Sequence, residues 1–245
     1  NMPSEFHKRV YSIEQIKELI TKYFPHTSFY GQNLGDIKKD LADAKYIVGV
    51  SIIDTPKLSF VIPTLGREEG LKRCIESIEK LNYPKDKIEV IIKRDDFQNR
   101  TGVPKLLKQG VEESTGEWVV YASNDTEFTP DSIIEALAVG EKGFVAFNTG
   151  PLYPDKGNRN EHFMIRKDII KKIGEVFCTD FHHVGCDNYL SAQMDKLGIF
   201  VRAEKAVVLH KHFSQTGAEM DEVYKLAYST VEQDRALLKT KLEQL

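Results

Sequence analysis

The chain has 245 residues, of which 41% are hydrophobic and 29% are charged, and its formal net charge is −3. This composition is typical of a globular protein with one main core. The negative net charge argues against nucleic acid as the main partner. The three cysteines, Cys74, Cys178 and Cys186, are widely spaced and form no CxxC pair, which argues against a disulfide framework or a zinc site.

The first residues, Asn1–Glu5, lack the apolar core of a signal peptide. No apolar stretch of the sequence reaches the length of a membrane-spanning helix. We therefore expect a cytoplasmic protein.

Residues 1–57 form an extension whose role the sequence does not indicate. Apolar residues at helical spacing behind Ser12 predict an amphipathic helix that reaches Phe24. A second short helix is predicted over Leu34–Ala42 and a strand over Tyr46–Ile53. Asp54-Thr55-Pro56 then breaks the chain, and we place the main domain boundary there, before residue 58.

From Leu58 onward, apolar strands alternate with helices. The predicted strands are Leu58–Ile62, Ile88–Ile92, Trp118–Ala122, Phe144–Phe147 and Ile199–Val208. The predicted helices are Leu71–Leu81, Pro104–Ser114 and one that follows Pro130-Asp131. Continuous apolar strands indicate a sheet that is buried on both faces. The pattern therefore predicts an α/β fold over residues 58–215, with a mostly parallel central sheet flanked by helices. Ligands of such folds bind beyond the carboxyl ends of the strands.

The remaining residues, 216–245, predict one long helix over Glu219–Glu243 with an apolar stripe that includes Val223 and Leu238. We expect this helix to pack on its own domain. A homodimer contact or a peripheral membrane contact is the alternative.

Polar clusters follow each of the first three predicted strands of the α/β region. They are Pro63–Arg67, Lys93–Asp96 and Ser123–Glu127. Any one of them is explained by the frequency of Asp and Asn in loops. Their recurrence at three strand ends predicts a ligand site at one edge of the sheet.

The order of these segments resembles family-2-type inverting glycosyltransferases, which have a GT-A fold. The matching segments are Leu58–Thr64, Ile88–Ile92, Gly116–Thr126 with Pro130-Asp131, His183–Leu190 and Gly198–His210. Together they cover about two thirds of the chain. Members of this family are Rossmann-like and move a sugar from a nucleotide-diphosphate donor to an acceptor.

The resemblance implies a divalent cation, Mn²⁺ or Mg²⁺, that bridges the phosphates of the donor. The second Asp of the family's Asp-x-Asp loop falls on Asp125, whereas the first falls on Ser123, which is a departure from the pattern. We expect weaker or altered metal binding as a result, with Asn124 or Glu127 compensating. Similar loops occur in relatives that transfer deoxysugars, so a hexosyl- or deoxyhexosyltransferase is expected.

Asp187 aligns with the catalytic base of the family, which takes a proton from the acceptor hydroxyl. Cys186 replaces the neighbouring Glu of the motif. His210 matches the family's downstream histidine, which binds the metal or the diphosphate. His212 is the alternative, since alternate residues of a strand face the same side. Asp187 also suits a helix N-cap, and the two roles are compatible.

For the nucleotide, the resemblance implies a first contact through Pro63, Thr64 and Arg67. It implies that Asp96, or else Asp95, reads the edge of the base. Lys105 and Lys108 lie about one helical turn apart. They face either the phosphates or the solvent.

The resemblance therefore predicts an inverting glycosyltransferase with a nucleotide-sugar donor and a carbohydrate or glycoconjugate acceptor. The acceptor is expected at the Asn148–His162 loop, which is rich in Gly, Pro and Asn. One alternative is a degenerate domain that binds a nucleotide sugar or a protein without catalysis, which Ser123 and Cys186 favour. A sugar nucleotidyltransferase is disfavoured, because the loop after the first strand holds one glycine, Gly66.

Overall fold

The computed structural model describes residues 27–33, 36–38, 46–51, 55–150, 161–217 and 219–245. The chain divides into two units at the Thr55–Pro56 junction. The first unit is Asn1–Thr55 and the second is Pro56–Leu245.

The described part of the first unit is a three-stranded antiparallel sheet. Its strands, in the spatial order β2-β1-β3, are β1 (Thr27–Asn33), β2 (Asp36–Lys38) and β3 (Tyr46–Ser51). The strand predicted over Tyr46–Ile53 is confirmed, whereas the helix predicted over Leu34–Ala42 is wrong. Asp36 pairs with Asn33 of β1, and this pairing takes up residues that the helix would need. The described extension is thus a sheet instead of a helical segment, and the helix predicted behind Ser12 lies outside the described residues.

The second unit is built on a seven-stranded sheet. Its strands are β4 (Leu58–Thr64), β5 (Ile88–Arg94), β6 (Trp118–Tyr121), β7 (Thr126–Phe128), β8 (Phe144–Asn148), β9 (Phe163–Arg166) and β10 (Arg202–His210). Their spatial order is β5-β4-β6-β9-β8-β10-β7. β4 is parallel to β5 and β6, and β10 is parallel to β8. β9 runs antiparallel to β6 and β8, and β7 runs antiparallel to β10.

The predicted α/β class is confirmed, but the sheet is mixed instead of mostly parallel. The antiparallel pairings all involve β7 or β9, two strands that the sequence pattern does not reveal. Both are short, with three and four residues, so neither shows a clear alternation of apolar and polar side chains.

Helices flank this sheet and share its two apolar clusters. They are α1 (Glu68–Glu79), α2 (Val103–Glu113), α3 (Ser132–Leu137), α4 (Lys167–Ile173), α5 (Cys186–Lys196), α6 (Phe213–Thr216), α7 (Glu222–Tyr228) and α8 (Val231–Glu243). All seven residues of β4 are buried. Phe60 lies in one cluster with Leu71 of α1, and Val61 lies in the other with Leu107 of α2. Burial on both faces explains why β4 is mostly apolar, with Ser59 and Thr64 as its two polar residues.

The carboxyl-terminal segment forms two helices, α7 and α8, where the sequence predicts one helix over Glu219–Glu243. Ser229 and Thr230 lie at the break, and such residues favour helix ends over helix interiors. α8 packs on its own unit, since Leu238 lies close to Gly185 at the start of α5. None of the described helices is both long and apolar enough to cross a membrane.

Hydrogen bonds of Glu89 connect the starts of three neighbouring strands, β4, β5 and β6. We expect these bonds to make the free energy of unfolding depend on pH. Its carboxylate accepts hydrogen bonds from Ser59, Thr115 and Gly116. Burial alone would raise the pKa of Glu89, but these donors lower it from 4.5 to about 2. The stabilisation is therefore complete above the unfolded-state pKa of 4.5 and is lost as the pH falls toward 2.

Glu89→Gln should accordingly lower the free energy of unfolding by about 2 kcal/mol at pH 7. Urea unfolding at pH 7 and at about pH 3.5 measures this difference between the variant and the parent chain. The difference in unfolding free energy should be roughly half as large at the lower pH. At that pH the Glu89 carboxylate of the unfolded parent chain is mostly protonated, whereas in the folded parent chain it stays mostly ionised. A difference of equal size at both pH values would show that the ionised Glu89 carboxylate does not cause the stabilisation.

Candidate active site

A cavity of about 570 Å³ opens beyond the carboxyl ends of β4 and β6 in the second unit. Its walls come from the loops after these strands, the start of α5, the end of β10, and helices α7 and α8. The sequence-predicted residues that line it are Pro63, Thr64, Arg67, Asp95, Asn124, Asp125, Asp187, His210 and His212. The fold thus brings together residues that are up to about 150 positions apart in the chain.

The carboxylate of Asp125 contacts four side chains in this cavity. Ser123 donates a hydrogen bond to its Oδ1, and Tyr224 donates one to its Oδ2. Nε2 of His210 lies 3.5 Å from Oδ1, and the Arg67 guanidinium lies 3.7 Å from Oδ2. Burial opposes ionisation, but the hydrogen bond and charge of His210, with the two hydroxyl donors, hold the pKa of Asp125 well below its usual range. Asp125 is therefore an ionised carboxylate whose side chain is only 13% exposed.

His210 lies at the end of β10 between two carboxylates. Its Nδ1 is 3.1 Å from Oε2 of Glu161, on the side away from Asp125. Burial would lower the pKa of His210, but hydrogen bonds to Asp125 and Glu161 raise it to about 9. A carboxylate behind one ring nitrogen fixes the ring so that the other nitrogen faces a ligand, as in many metal-bound histidines. Sequence reasoning missed Glu161, which lies in the predicted acceptor loop.

His162 is a second histidine beside Asp125, and sequence reasoning gave it no role. Its side chain is almost fully buried and stacks on Tyr121, with ring centroids 5.5 Å apart. Nε2 of His162 lies 2.8 Å from Oγ of Ser123, while Nδ1 is buried without a hydrogen-bond partner among the described residues. Burial, with the charge of His210, lowers the pKa of His162 to about 3. The ring is therefore neutral.

These side chains form a group that fits a divalent cation. One ligand atom from each of Asp125, His162 and His210 lies within 4.8 Å of the other two. Carboxylate oxygens and imidazole nitrogens are common ligands of divalent metals. His212 is outside this group, although its ring lies 5.4 Å from that of His210.

Asp187 lies in the first turn of α5, just after Gly185. Gly185 has a φ of 85°, in the left-handed region, and a β-carbon there would lie 3.2 Å from Leu238 of α8. A larger residue at this position is therefore disfavoured. Asp187 is part of the cavity wall, together with Gly185 and Asn188.

The loop before Asp187 is fixed by Asp234 of α8, which sequence reasoning missed. The Asp234 carboxylate is 1% exposed and accepts hydrogen bonds from three consecutive backbone N–H groups. Those groups belong to His182, His183 and Val184, at distances of 2.9 to 3.0 Å. A buried carboxylate thus sets the position from which α5 begins.

Arg67 connects the loop after β4 to α7. It pairs with Asp221 through two hydrogen bonds, of 2.8 and 2.6 Å, and its guanidinium lies 3.6 Å from the ring centre of Tyr224. Its φ of 56° is left-handed, a rare conformation for a residue other than glycine. The helices at the carboxyl terminus therefore complete the cavity, which sequence analysis did not predict.

Asn124 and Asp95 line the cavity, but their side chains bind the protein's own loops. Asn124 donates to Oγ1 of Thr64 at 2.7 Å and also to the carbonyl oxygen of Gly66. Asp95 accepts from the backbone N–H groups of residues 96, 101 and 102. Both side chains thus hold the shape of the cavity wall.

Four predicted site residues do not line the cavity. Asp96 accepts hydrogen bonds from the backbone of residues 98 and 99, and Lys105 is exposed on α2. Lys108 lies 3.8 Å from Glu175, and Glu127 lies on β7, 3.4 Å from Arg73. The cation group therefore does not include Glu127.

The fold is similar to that of solved glycosyltransferases. A mannosyltransferase from Pyrobaculum calidifontis, solved with GDP-Man and Mn²⁺, has a TM-score of 0.54 and 16% identity, covering 76% of this chain and 73% of that one. S. aureus TarS residues 1–349 with UDP-GlcNAc has a TM-score of 0.53 and 13% identity, covering 76% and 70%. A longer TarS structure has a TM-score of 0.52 and 13% identity, and the match spans 69% of this chain but 41% of that one.

These similarities confirm the predicted GT-A-like fold. No protein-family model and no curated protein sequence matches the chain. The family-level expectations about mechanism and acceptor therefore remain predictions.

Proposed function

We propose that this protein is an inverting glycosyltransferase that moves a sugar from a nucleotide-diphosphate donor to an acceptor hydroxyl. The observation that carries the proposal is the convergence of Asp125, His210 and Asp187 on one cavity at the strand ends of a GT-A-like fold. The similar structures were solved with GDP-Man and with UDP-GlcNAc, and these ligands support a nucleotide sugar as the donor.

The leaving diphosphate is expected beside Asp125 and Arg67. A divalent cation, Mn²⁺ or Mg²⁺, held by Asp125 and His210 would neutralise the charge that develops on this leaving group. Arg67 offers a planar guanidinium that suits phosphate oxygens. Asp221 and Asp125 balance the charge of Arg67. The Mn²⁺ in the mannosyltransferase complex supports a cation in this role.

Asp187 is proposed as the general base. Its carboxylate takes the proton of the acceptor hydroxyl while that oxygen attacks the anomeric carbon of the sugar. The bond between the anomeric carbon and the phosphate oxygen breaks in the same step, and its electrons leave with the nucleoside diphosphate. Attack from the face opposite the leaving group inverts the anomeric centre. The acceptor is proposed to be a carbohydrate or a glycoconjugate.

A domain that binds a nucleotide sugar without transferring it is the second candidate. The observation that favours it is Ser123, since this residue stands where a second metal-binding carboxylate is expected and instead donates a hydrogen bond to Asp125. Donor binding without sugar release or transfer would support this alternative.

Binding of the donor is tested by thermal unfolding with UDP-, GDP- and dTDP-sugars, each with and without Mn²⁺. We expect one nucleotide class to raise the melting temperature in a metal-dependent way, because a ligand at about 100 times its Kd stabilises by roughly 2.7 kcal/mol. Asp125→Asn should remove the metal-dependent part of the shift.

Glu127→Gln is the matched control, because Glu127 is two residues away but pairs with Arg73 outside the cavity. It should keep the full shift. If no nucleotide sugar stabilises the parent chain, the proposed function is wrong. If Glu127→Gln loses the metal-dependent shift as completely as Asp125→Asn, the assignment of the cation site is wrong.

A further inference from the structure

The three ligand side chains of the cation site contain a single carboxylate, which bears on the choice of metal ion. We propose that His162 takes the place of the missing Asp-x-Asp carboxylate, so that the site selects a transition metal ion over Mg²⁺. This inference rests on the proposed function, because the cation is assumed to serve the nucleotide-sugar site.

The sheet explains how His162 reaches this position. β9 runs antiparallel to β6, and Phe163 pairs with Tyr121. The residue before β9 therefore lies next to the residues that follow β6, which are Ala122 and Ser123. Because of this pairing, a side chain 37 positions after Asp125 in the sequence enters the same site.

The hydrogen bonds at Ser123 define the state of the His162 ring. The Ser123 hydroxyl has one proton, and it donates that proton to Asp125. Its oxygen therefore accepts from Nε2–H of His162, 2.8 Å away. A neutral ring that is protonated on Nε2 has a lone pair on Nδ1. That nitrogen is buried without a partner among the described residues, and it lies on the side of the ring away from Ser123. A cation held together with Asp125 would therefore bind Nε2 in place of the Ser123 hydroxyl, and the ring proton would then lie on Nδ1.

The donor set then determines the preference for the metal. Mg²⁺ prefers oxygen ligands and retains bound water, whereas imidazole nitrogens bind Co²⁺, Zn²⁺ and Fe²⁺ more strongly. Two histidines and one carboxylate form a set that leaves further coordination positions for other ligands, such as phosphate oxygens. We expect affinity to rise from Mg²⁺ through Mn²⁺ to Co²⁺ and Zn²⁺.

Metal binding without nucleotide tests this inference directly. Mn²⁺ is titrated into the full chain and followed by electron paramagnetic resonance, with Mg²⁺ or Co²⁺ as the competitor. We expect one Mn²⁺ per chain, displacement by equimolar Co²⁺, and less than half displacement by a hundredfold excess of Mg²⁺. Pulsed measurements of the bound Mn²⁺ should detect nitrogen couplings from two imidazoles.

His162→Gln should weaken Mn²⁺ binding at least tenfold and leave the coupling of one imidazole. Gln keeps a polar group near Ser123, so we expect His162→Gln to fold. His162→Asn provides a second variant if the first fails to fold. The matched control is His212→Gln, which removes a histidine from the same cavity but not from the group of three. Its Mn²⁺ affinity should change less than threefold.

A double variant tests whether His162 takes the place of the missing carboxylate at position 123. Ser123→Asp combined with His162→Gln restores the carboxylate that the loop lacks, and we expect Mg²⁺ to compete with Mn²⁺ in this protein much better than in the parent. The inference is overturned if His162→Gln binds Mn²⁺ as tightly as the parent chain, or if Mg²⁺ displaces Mn²⁺ from the parent at equal concentration. Thermal stabilisation by a nucleotide sugar in either case would leave the proposed function standing. Absence of that stabilisation would count against the proposed function itself.

Discussion

Asp187→Asn is expected to reduce sugar transfer by about 10²–10⁴-fold while the affinity for the nucleotide sugar stays nearly unchanged. The amide has a similar shape but cannot accept the acceptor's proton. Asp187 lines the cavity from the first turn of α5, two residues after the left-handed Gly185 that caps the helix. Steady-state transfer kinetics and a separate measurement of donor binding distinguish the two effects.

Asp195→Asn is the matched control for this variant. Asp195 lies on the same helix, is exposed and does not line the cavity, so the same chemical change there should leave transfer within about twofold of the parent rate. The assignment of Asp187 as the base would be wrong if Asp187→Asn kept most of its activity. It would also be wrong if donor affinity fell in parallel with the rate, because the carboxylate would then be a binding group.

Asp234→Ala is expected to lower the free energy of unfolding by about 3 kcal/mol, since it leaves three backbone N–H groups without their buried acceptor. Those groups are at residues 182–184, directly before Gly185 and Asp187. We therefore expect transfer activity to fall as well, even under conditions where the variant is folded. Urea unfolding measures the first effect, and transfer kinetics at low temperature measure the second.

Asp180→Ala provides the comparison for Asp234→Ala. Asp180 also bonds to α8, through Lys241 at 2.6 Å, but its side chain is 61% exposed. Removing this exposed pair should cost less than about 1 kcal/mol and should leave transfer unchanged. Equal losses of stability in the two variants would show that Asp234 acts as an ordinary surface carboxylate and does not position the catalytic loop.

The parts of the site that the sequence predicted are those that follow long apolar strands. β4 and β10 have enough residues to be recognised, and β6 lies within a longer apolar motif. Their ends locate Thr64, Asp125 and His210 without knowledge of the sheet order. The resemblance to glycosyltransferases added Asp187, which follows no long strand and whose position alone would suggest only a helix cap.

The parts that the sequence did not predict depend on contacts between distant segments. His162 reaches Asp125 because β9, a strand of four residues, runs antiparallel to β6. Tyr224 reaches Asp125 from α7, and Asp234 reaches the loop before α5 from α8. On a helix of mixed polarity, nothing in the sequence distinguishes a buried carboxylate such as Asp234 from a solvated one.

Glu127 illustrates the opposite error. It is close to Asp125 in the sequence and has the right chemistry for a metal ligand. However, it lies on β7, where it faces Arg73 and not the cavity. Closeness to Asp125 in the sequence therefore wrongly predicted Glu127 as a metal ligand. The position of His162 beside Asp125 was not predicted, because it depends on the antiparallel pairing of β9 with β6.

Time-resolved nuclear magnetic resonance of the stabilising nucleotide sugar, incubated with the protein and Mn²⁺, shows whether this cavity catalyses an inverting transfer. With water as the acceptor, we expect a nucleoside diphosphate together with free sugar that first appears as the anomer opposite to that of the donor. Both products should be absent with Asp187→Asn. A donor that stays intact with the parent chain, or a sugar released with its anomeric configuration retained, would contradict the claim that this cavity catalyses an inverting transfer.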